Sequence, residues 1–296
     1  MEISLTEKEL DLLRFWEEYE LSTNEEYVSC VEKTIGVLLE LTNSLHQDDI
    51  KLPSWKIWAE PIIYKFCYHV SSLVQLFKGT ELPFEHEGKK TIIFDEPSMF
   101  ILFRACLENY LTFFYLFIED IDEAEKEFRM LVWRYSSLKQ RIGFKINTEE
   151  ARKKQEKECI LVDSLSGEIV TNKYFRQIPK KQQEKVLSGK NPRLFTTWNA
   201  LMVRSDLKTS LYENIYGYKS NYSHSEFLSV LQVHEGSYGH SRESTRSHHS
   251  LLLIHGLVGK MITETTIFFP SMNKHFQKKD DQTKNNVQFL NTLSRN

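Results

Sequence analysis

Arg104 and Glu108 lie within the most apolar stretch of the chain, MFILFRACLENYLTFFYLFI at residues 99–118. Four residues apart on a helix, they share one face. One reading is an internal ion pair that sets helix register. A buried pair is a poor source of stability, because desolvation can exceed the Coulomb gain. Its presence in a core helix therefore also points to a group that orients a third residue or serves a site. A second stretch, YGYKSNYSHSEF at 216–227, is dense in Tyr, Ser and His. On a helix Tyr218 and Tyr222 share a face, while Ser223 and His224 lie along the other side. Such a cluster can line a polar pocket, with His224 as acid or base near neutral pH. It can equally be a hydrogen-bonded helix end. The third stretch, HSRESTRSHHS at 240–250, sets Arg242 six residues before His248, with Arg246, His249 and His255 following. His248 and His255 can share a helical face. No spacing fits a known ligand set, and adjacent His248 and His249 cannot face one ion from a regular helix. No metal and no cofactor are expected.

The elements that must position these groups are helices. The chain of 296 residues has Gly 11 and Pro 7, few breakers beside many aromatics, which favours long helices over a many-stranded sheet. The expected fold is all-α, a bundle of long antiparallel helices. A polar helical or loop insertion spans 147–192, and a short hairpin or extended loop falls near 82–95. The expected organisation is an N-terminal helical region over 1–50 packing on the core, a main helical domain over 51–276, and a loose tail over 277–296. Pro61 kinks or breaks the third helix. Asp95 or Ser98 caps the apolar helix, with Pro97 in its first turn.

A net charge of −3 provides no global basic field of the nucleic-acid-binding kind. The polar region reads as a solvated excursion or, alternatively, as a basic patch of Lys180, Lys181, Lys185, Lys190 and Arg193. Four cysteines lie far apart without a CxxC pair, and Cys67 and Cys106 fit helical core positions. The opening MEISLTEKELDLL lacks the regions of a signal peptide, so a reducing cytoplasm is expected. Residues 99–118 are nearly long enough to span a bilayer. Arg104, Glu108 and Asn109 near the centre, and the lack of a second convincing span, favour a buried core helix and no membrane. No GxGxxG, Walker loop, GxSxG or HExxH occurs.

An R-x-x-x-E on an apolar helix, RACLENYLTFFYLF, followed later by YKSNYSHS, resembles an uncharacterised family of all-helical bacterial proteins with R-x-x-x-E and Y-x-x-x-S-x-x-H motifs. The match rests on Arg104, Glu108, Tyr218, Tyr222, Ser223 and His224, and covers roughly residues 55–265. That family is loosely similar to the HEPN superfamily of helical ribonucleases and toxins, many of them in phage defence. HEPN nucleases carry an Arg, a polar residue and a short spacer before a His at a helix start. RESTRSH, Arg242 to His248, fits that spacing, with Glu243 departing from the usual polar residue. YSHS has no Arg at the matching distance, so a catalytic His224 would draw its arginine from elsewhere, with Arg104 the natural donor.

The resemblance implies RNA cleavage without metal. A His removes the 2′-hydroxyl proton and an Arg steadies the phosphorane charge, while Glu108 holds Arg104. It also implies a homodimer, and an unknown protein partner or trigger. The alternative is a non-enzymatic helical binding or sensor module, with Arg104, Glu108, Tyr218 and His224 lining a pocket for a small ligand or protein partner. A third reading is a metal-dependent helical enzyme.

Overall fold

The computed structural model describes residues 24–46, 52–86, 89–223 and 245–295, with a few positions between 226 and 234. Residues 1–23 and 47–50 of the expected N-terminal helical region lie outside them. The fold is all-α. Among the described residues there are twelve α-helices and one two-stranded antiparallel hairpin. The helices are α1 (Asn24–Asn43), α2 (Ala59–Lys78), α3 (Glu96–Phe113), α4 (Glu123–Arg141), α5 (Glu149–Thr171), α6 (Lys173–Gln177), α7 (Lys180–Leu187), α8 (Trp198–Arg204), α9 (Thr209–Ser223), α10 (Thr245–Phe268), α11 (Pro270–Phe276) and α12 (Asp281–Ser294). Strands β1 (Thr80–His86) and β2 (Lys89–Ile93) form the hairpin.

The chain divides into two compact units. The first holds 58–111 and 206–296 with the described residues before 47, and the second holds 52–57 and 112–205. In the first unit, α10 packs against α1, α2, α11 and α12. Its core is aliphatic and aromatic at helical spacing, for example Phe66, Val70, Leu73 and Phe77 on α2. Pro61 neither kinks nor breaks α2. It lies in the first turn, where its missing N–H has no intrahelical partner to lose.

The expectation of a loose tail over 277–296 is corrected. Asp280 caps α12 by accepting from the Thr283 N–H at 2.8 Å, and Val287 and Leu290 are buried. Gly256 and Gly259 of α10 open the seat for this helix. A Cβ on Gly259 would lie 2.3 Å from the Leu290 Cβ. The sequence QKKDDQTKNN hides this because it covers only the connection and the polar first turns of α12, before the buried positions Val287 and Leu290 begin.

In the second unit, Phe128, Val132 and Tyr135 of α4 pack with Val162, Leu165 and Ile169 of α5, Phe175 of α6 and Val186 of α7. The polar region 147–192 thus buries a core of its own and is not a solvated excursion. Lys180, Lys181, Lys185 and Lys190 stay exposed, while Arg193 stacks over Trp198 at 3.7 Å. The apolar helix α3 continues as a π-helical turn, Phe114–Ile118. Side chains of α4 satisfy its loosened carbonyls: Arg129 Nη1 donates to the Tyr115 carbonyl at 3.1 Å and Lys126 Nζ to that of Phe117 at 2.9 Å. Arg129, nearly buried, also pairs with Glu119 and with Glu125, and Arg204 holds the second Glu119 oxygen at 3.0 Å.

A second helix of membrane-spanning length and apolarity is present. Glu96–Ile118 and Ser247–Phe268 have mean hydropathies of 1.4 and 1.3, with 61% and 72% of those windows buried in the fold.

Candidate functional site: a three-helix face in the first unit

Asp95 starts α3 by accepting from the Ser98 N–H at 3.0 Å, and Pro97 occupies the first turn. Phe100, Phe103, Leu107 and Tyr110 then form its buried stripe. Arg104 and Glu108 flank that stripe instead of lying inside it. They pair at 2.8 Å with 26% and 28% of their side chains exposed. The expected core ion pair is therefore a boundary pair, because the stripe is narrower than the run of apolar letters around it.

The partner face comes from α9. Tyr212, Tyr216, Lys219 and Tyr222 recur at helical spacing. Tyr216 donates its hydroxyl to Glu108 Oε1 at 2.7 Å, and the Arg104 guanidinium lies 5.0 Å from the Tyr216 ring centroid. Burial works against the Arg104 charge, but Glu108 outweighs it and holds the guanidinium above its ordinary value. Burial, with the Glu108 hydrogen bond, pushes the Tyr216 phenol up to about 12. Tyr218 and Tyr222, with hydroxyls 3.4 Å apart, both set their rings against Phe100. The structure thus brings Arg104, Glu108, Tyr218 and Tyr222 to one face. His224, Arg242 and the Ser223 side chain lie outside the described residues.

Helix α10 closes the face. Ser247 donates to Glu96 Oε1 at 3.0 Å, and Tyr212 donates to the Leu253 carbonyl at 2.9 Å. Tyr110 donates to Glu264 at 3.0 Å. These contacts make α3 and α10 parallel, with α9 antiparallel to both. His248, in the first turn of α10, is partly exposed and meets Phe77 edge-on at 4.9 Å.

His255 has a different role. It is fully buried, with Nε2 3.0 Å from Thr34 Oγ1. Thr34 already donates to the Cys30 carbonyl, so the imidazole donates from Nε2, and burial pushes it down to about 3. It is a neutral core histidine packed edge-on against Tyr27, whereas His248 meets Phe77. Among the described residues, no three His, Cys, Asp or Glu side chains gather as metal ligands would.

The sequence reading missed Lys219. This lysine takes the position on α9 where a core residue belongs, and it is 3% exposed. Its Nζ donates to Ser250 Oγ and stands 3.9 Å from the Phe103 ring centroid and 4.3 Å from that of Phe100. Desolvation lowers its pKa to about 7, against a weaker pull upward from the Glu96 charge. The signal was present in YGYKSNY: a lysine in register with a tyrosine stripe.

The chain matches no protein-family model, no curated protein and no solved structure. The residues themselves carry the functional argument.

Proposed function

We propose that the protein is a HEPN-like ribonuclease, a toxin-type effector of the phage-defence kind, acting on RNA in the cytoplasm as a homodimer. The observation that carries this reading is the place of His248. It stands partly exposed in the first turn of α10, the helix start that the Arg242-to-His248 spacing requires. A helix N-terminus presents free N–H groups and a positive dipole end, which suits a phosphate. In the proposed reaction His248 takes the 2′-hydroxyl proton, the oxygen attacks the adjacent phosphorus, and Arg242 steadies the charge on the phosphorane; the P–O5′ bond then breaks, leaving a 2′,3′-cyclic phosphate, and the departing 5′-oxygen takes a proton from solvent. The Arg104–Glu108 pair, held by Tyr216, fixes an arginine on the same helical unit with its charge offset by the carboxylate.

The test is growth of a bacterial host expressing wild type, His248→Ala or Arg104→Ala, with total RNA examined at arrest. Wild type arrests growth and fragments RNA. His248→Ala slows cleavage about 100-fold or more, the usual worth of a general base, while circular dichroism shows the helices intact. Intact RNA and unimpaired growth with wild type would sink the nuclease reading.

One observation favours the alternative, a non-enzymatic helical binding module. Arg104 is already engaged by Glu108 and Tyr216, an arrangement that holds a guanidinium still for recognition. That reading expects no cleavage and a thermal shift with the recognised ligand.

A further inference from the structure

We propose that Lys219 is a nucleophilic amine that condenses reversibly with a small, flat aldehyde or ketone, with Ser250 as its proton relay. The inference is independent of RNA cleavage and concerns a different group.

Its ground is the way three helices enclose one amine. Buried ammonium groups are normally paired with a carboxylate. Among the described residues Lys219 forms no ion pair: its polar contact is the Ser250 hydroxyl, and the Phe100 and Phe103 rings lie against its Nζ. Of the charged and titratable groups around it, Glu96 of α3 is taken up by Ser247 of α10, and Tyr218 and Tyr222 of α9 turn toward Phe100. The Glu96 charge pulls the Lys219 pKa upward, but less than burial lowers it. Loss of water around the buried amine disfavours the ammonium by more than the ring faces and the Glu96 charge favour it, which leaves free amine, the condition for a Schiff-base lysine. At pH 7 about half of Lys219 is then neutral, against roughly one in a few thousand exposed lysines. Phe100 and Phe103 wall the amine with aromatic surface, so a compound that reaches Nζ as the helices breathe is selected for being small, flat and apolar.

The chemistry balances with these two residues. The Nζ lone pair attacks the carbonyl carbon and an N–C bond forms. One Nζ proton passes through the Ser250 hydroxyl to the former carbonyl oxygen, giving a carbinolamine. The second Nζ proton leaves with that hydroxyl as water, and a C=N bond remains. Addition of water reverses the sequence.

The experiment uses the full chain with benzaldehyde and sodium cyanoborohydride, whose hydride reduces the imine to a stable benzylamine. Peptide mass mapping follows the adduct at every lysine from pH 6 to 10. At pH 7 Lys219 gains the benzyl group at least tenfold faster than the exposed lysines, and its rate levels off above about pH 8 while theirs keeps rising. Ser250→Ala slows the Lys219 reaction at least tenfold. Lys219→Met leaves no adduct on that peptide. Labelling of Lys219 no faster than of exposed lysines, or a rate that climbs with theirs to pH 10, overturns the proposal. An unchanged rate in Ser250→Ala removes the relay. The other lysines of the same molecule are the reference for the wild type, and circular dichroism showing intact helices in Ser250→Ala separates loss of the relay from loss of the fold. The mass readout is also separate from any test of RNA cleavage.

Discussion

Lys219 shows how one residue ties stability to pH. Its pKa is lowered in the folded state, to about 7, and that of the unfolded chain is near 10.4. Between these values the unfolded chain binds more protons, so stability rises with pH across that window. Below about pH 7 both states are protonated and the full cost of the buried ammonium is present. The Phe100 and Phe103 faces offset part of it, since they favour the charged form. Lys219→Met keeps the shape and removes the charge. The variant is therefore more stable than wild type below pH 7. The gap closes above it, by at most about 1.4 kcal/mol per pH unit. Urea denaturation of both proteins from pH 6 to 9 measures this, and a gap that does not change with pH would refute it.

Elements carry the next level of argument, and the π turn at Phe114–Ile118 is the sharpest case. An apolar helix that simply stopped would leave carbonyls without donors. Here Arg129 and Lys126 reach back from α4 to supply them. Arg129 also neutralises Glu119, whose side chain is 12% exposed. Arg129→Met keeps most of the packing but strips that carboxylate of its most buried partner. The expected loss is about 3 kcal/mol, in the range for breaking a buried pair. Equilibrium unfolding monitored by circular dichroism checks it. A change under about 0.5 kcal/mol, the size of a surface substitution, would mean that Arg204 alone suffices for Glu119.

At the scale of the molecule, the first unit is closed by its distant ends. Residues 206–296 return to 58–111 after the chain has built the second unit. Asp206 pairs with Arg295 at 2.6 Å, and the Lys208 N–H donates to the Ser294 carbonyl at 3.0 Å. Helix α12 is thus a structural part of this unit. Gly259→Ala would drive a Cβ into Leu290 and the Asn291 backbone, while at Gly256 the nearest atom is 3.4 Å away. Gly259→Ala should cost about 1–3 kcal/mol through overpacking. The helix-propensity gain of about 1 kcal/mol is common to both sites, so Gly256→Ala, whose Cβ would meet nothing nearer than 3.4 Å, should cost less. Urea denaturation of the two variants side by side tests the order, and equal stabilities would contradict this docking.

Local pattern sufficed for much of this protein. Helical class, a cap at Asp95 or Ser98, a hairpin or extended loop near 82–95 and the core positions of Cys67 and Cys106 follow from periodicity and capping, which act over a few residues; the structure selects Asp95 and the hairpin. Arg104 and Glu108 were legible as a pair because i and i+4 always meet on a helix. Three matters belonged to the tertiary structure alone. Exposure of that pair depends on which neighbours cover the flank of α3. The burial of α12 depends on two glycines far earlier in the chain. The meeting of Lys219 with Ser250, Phe100 and Phe103 needs three helices from distant segments. A lysine's type and spacing in sequence carry no measure of its solvation. Only the packed helices remove the water, and with it the usual preference of that amine for its proton.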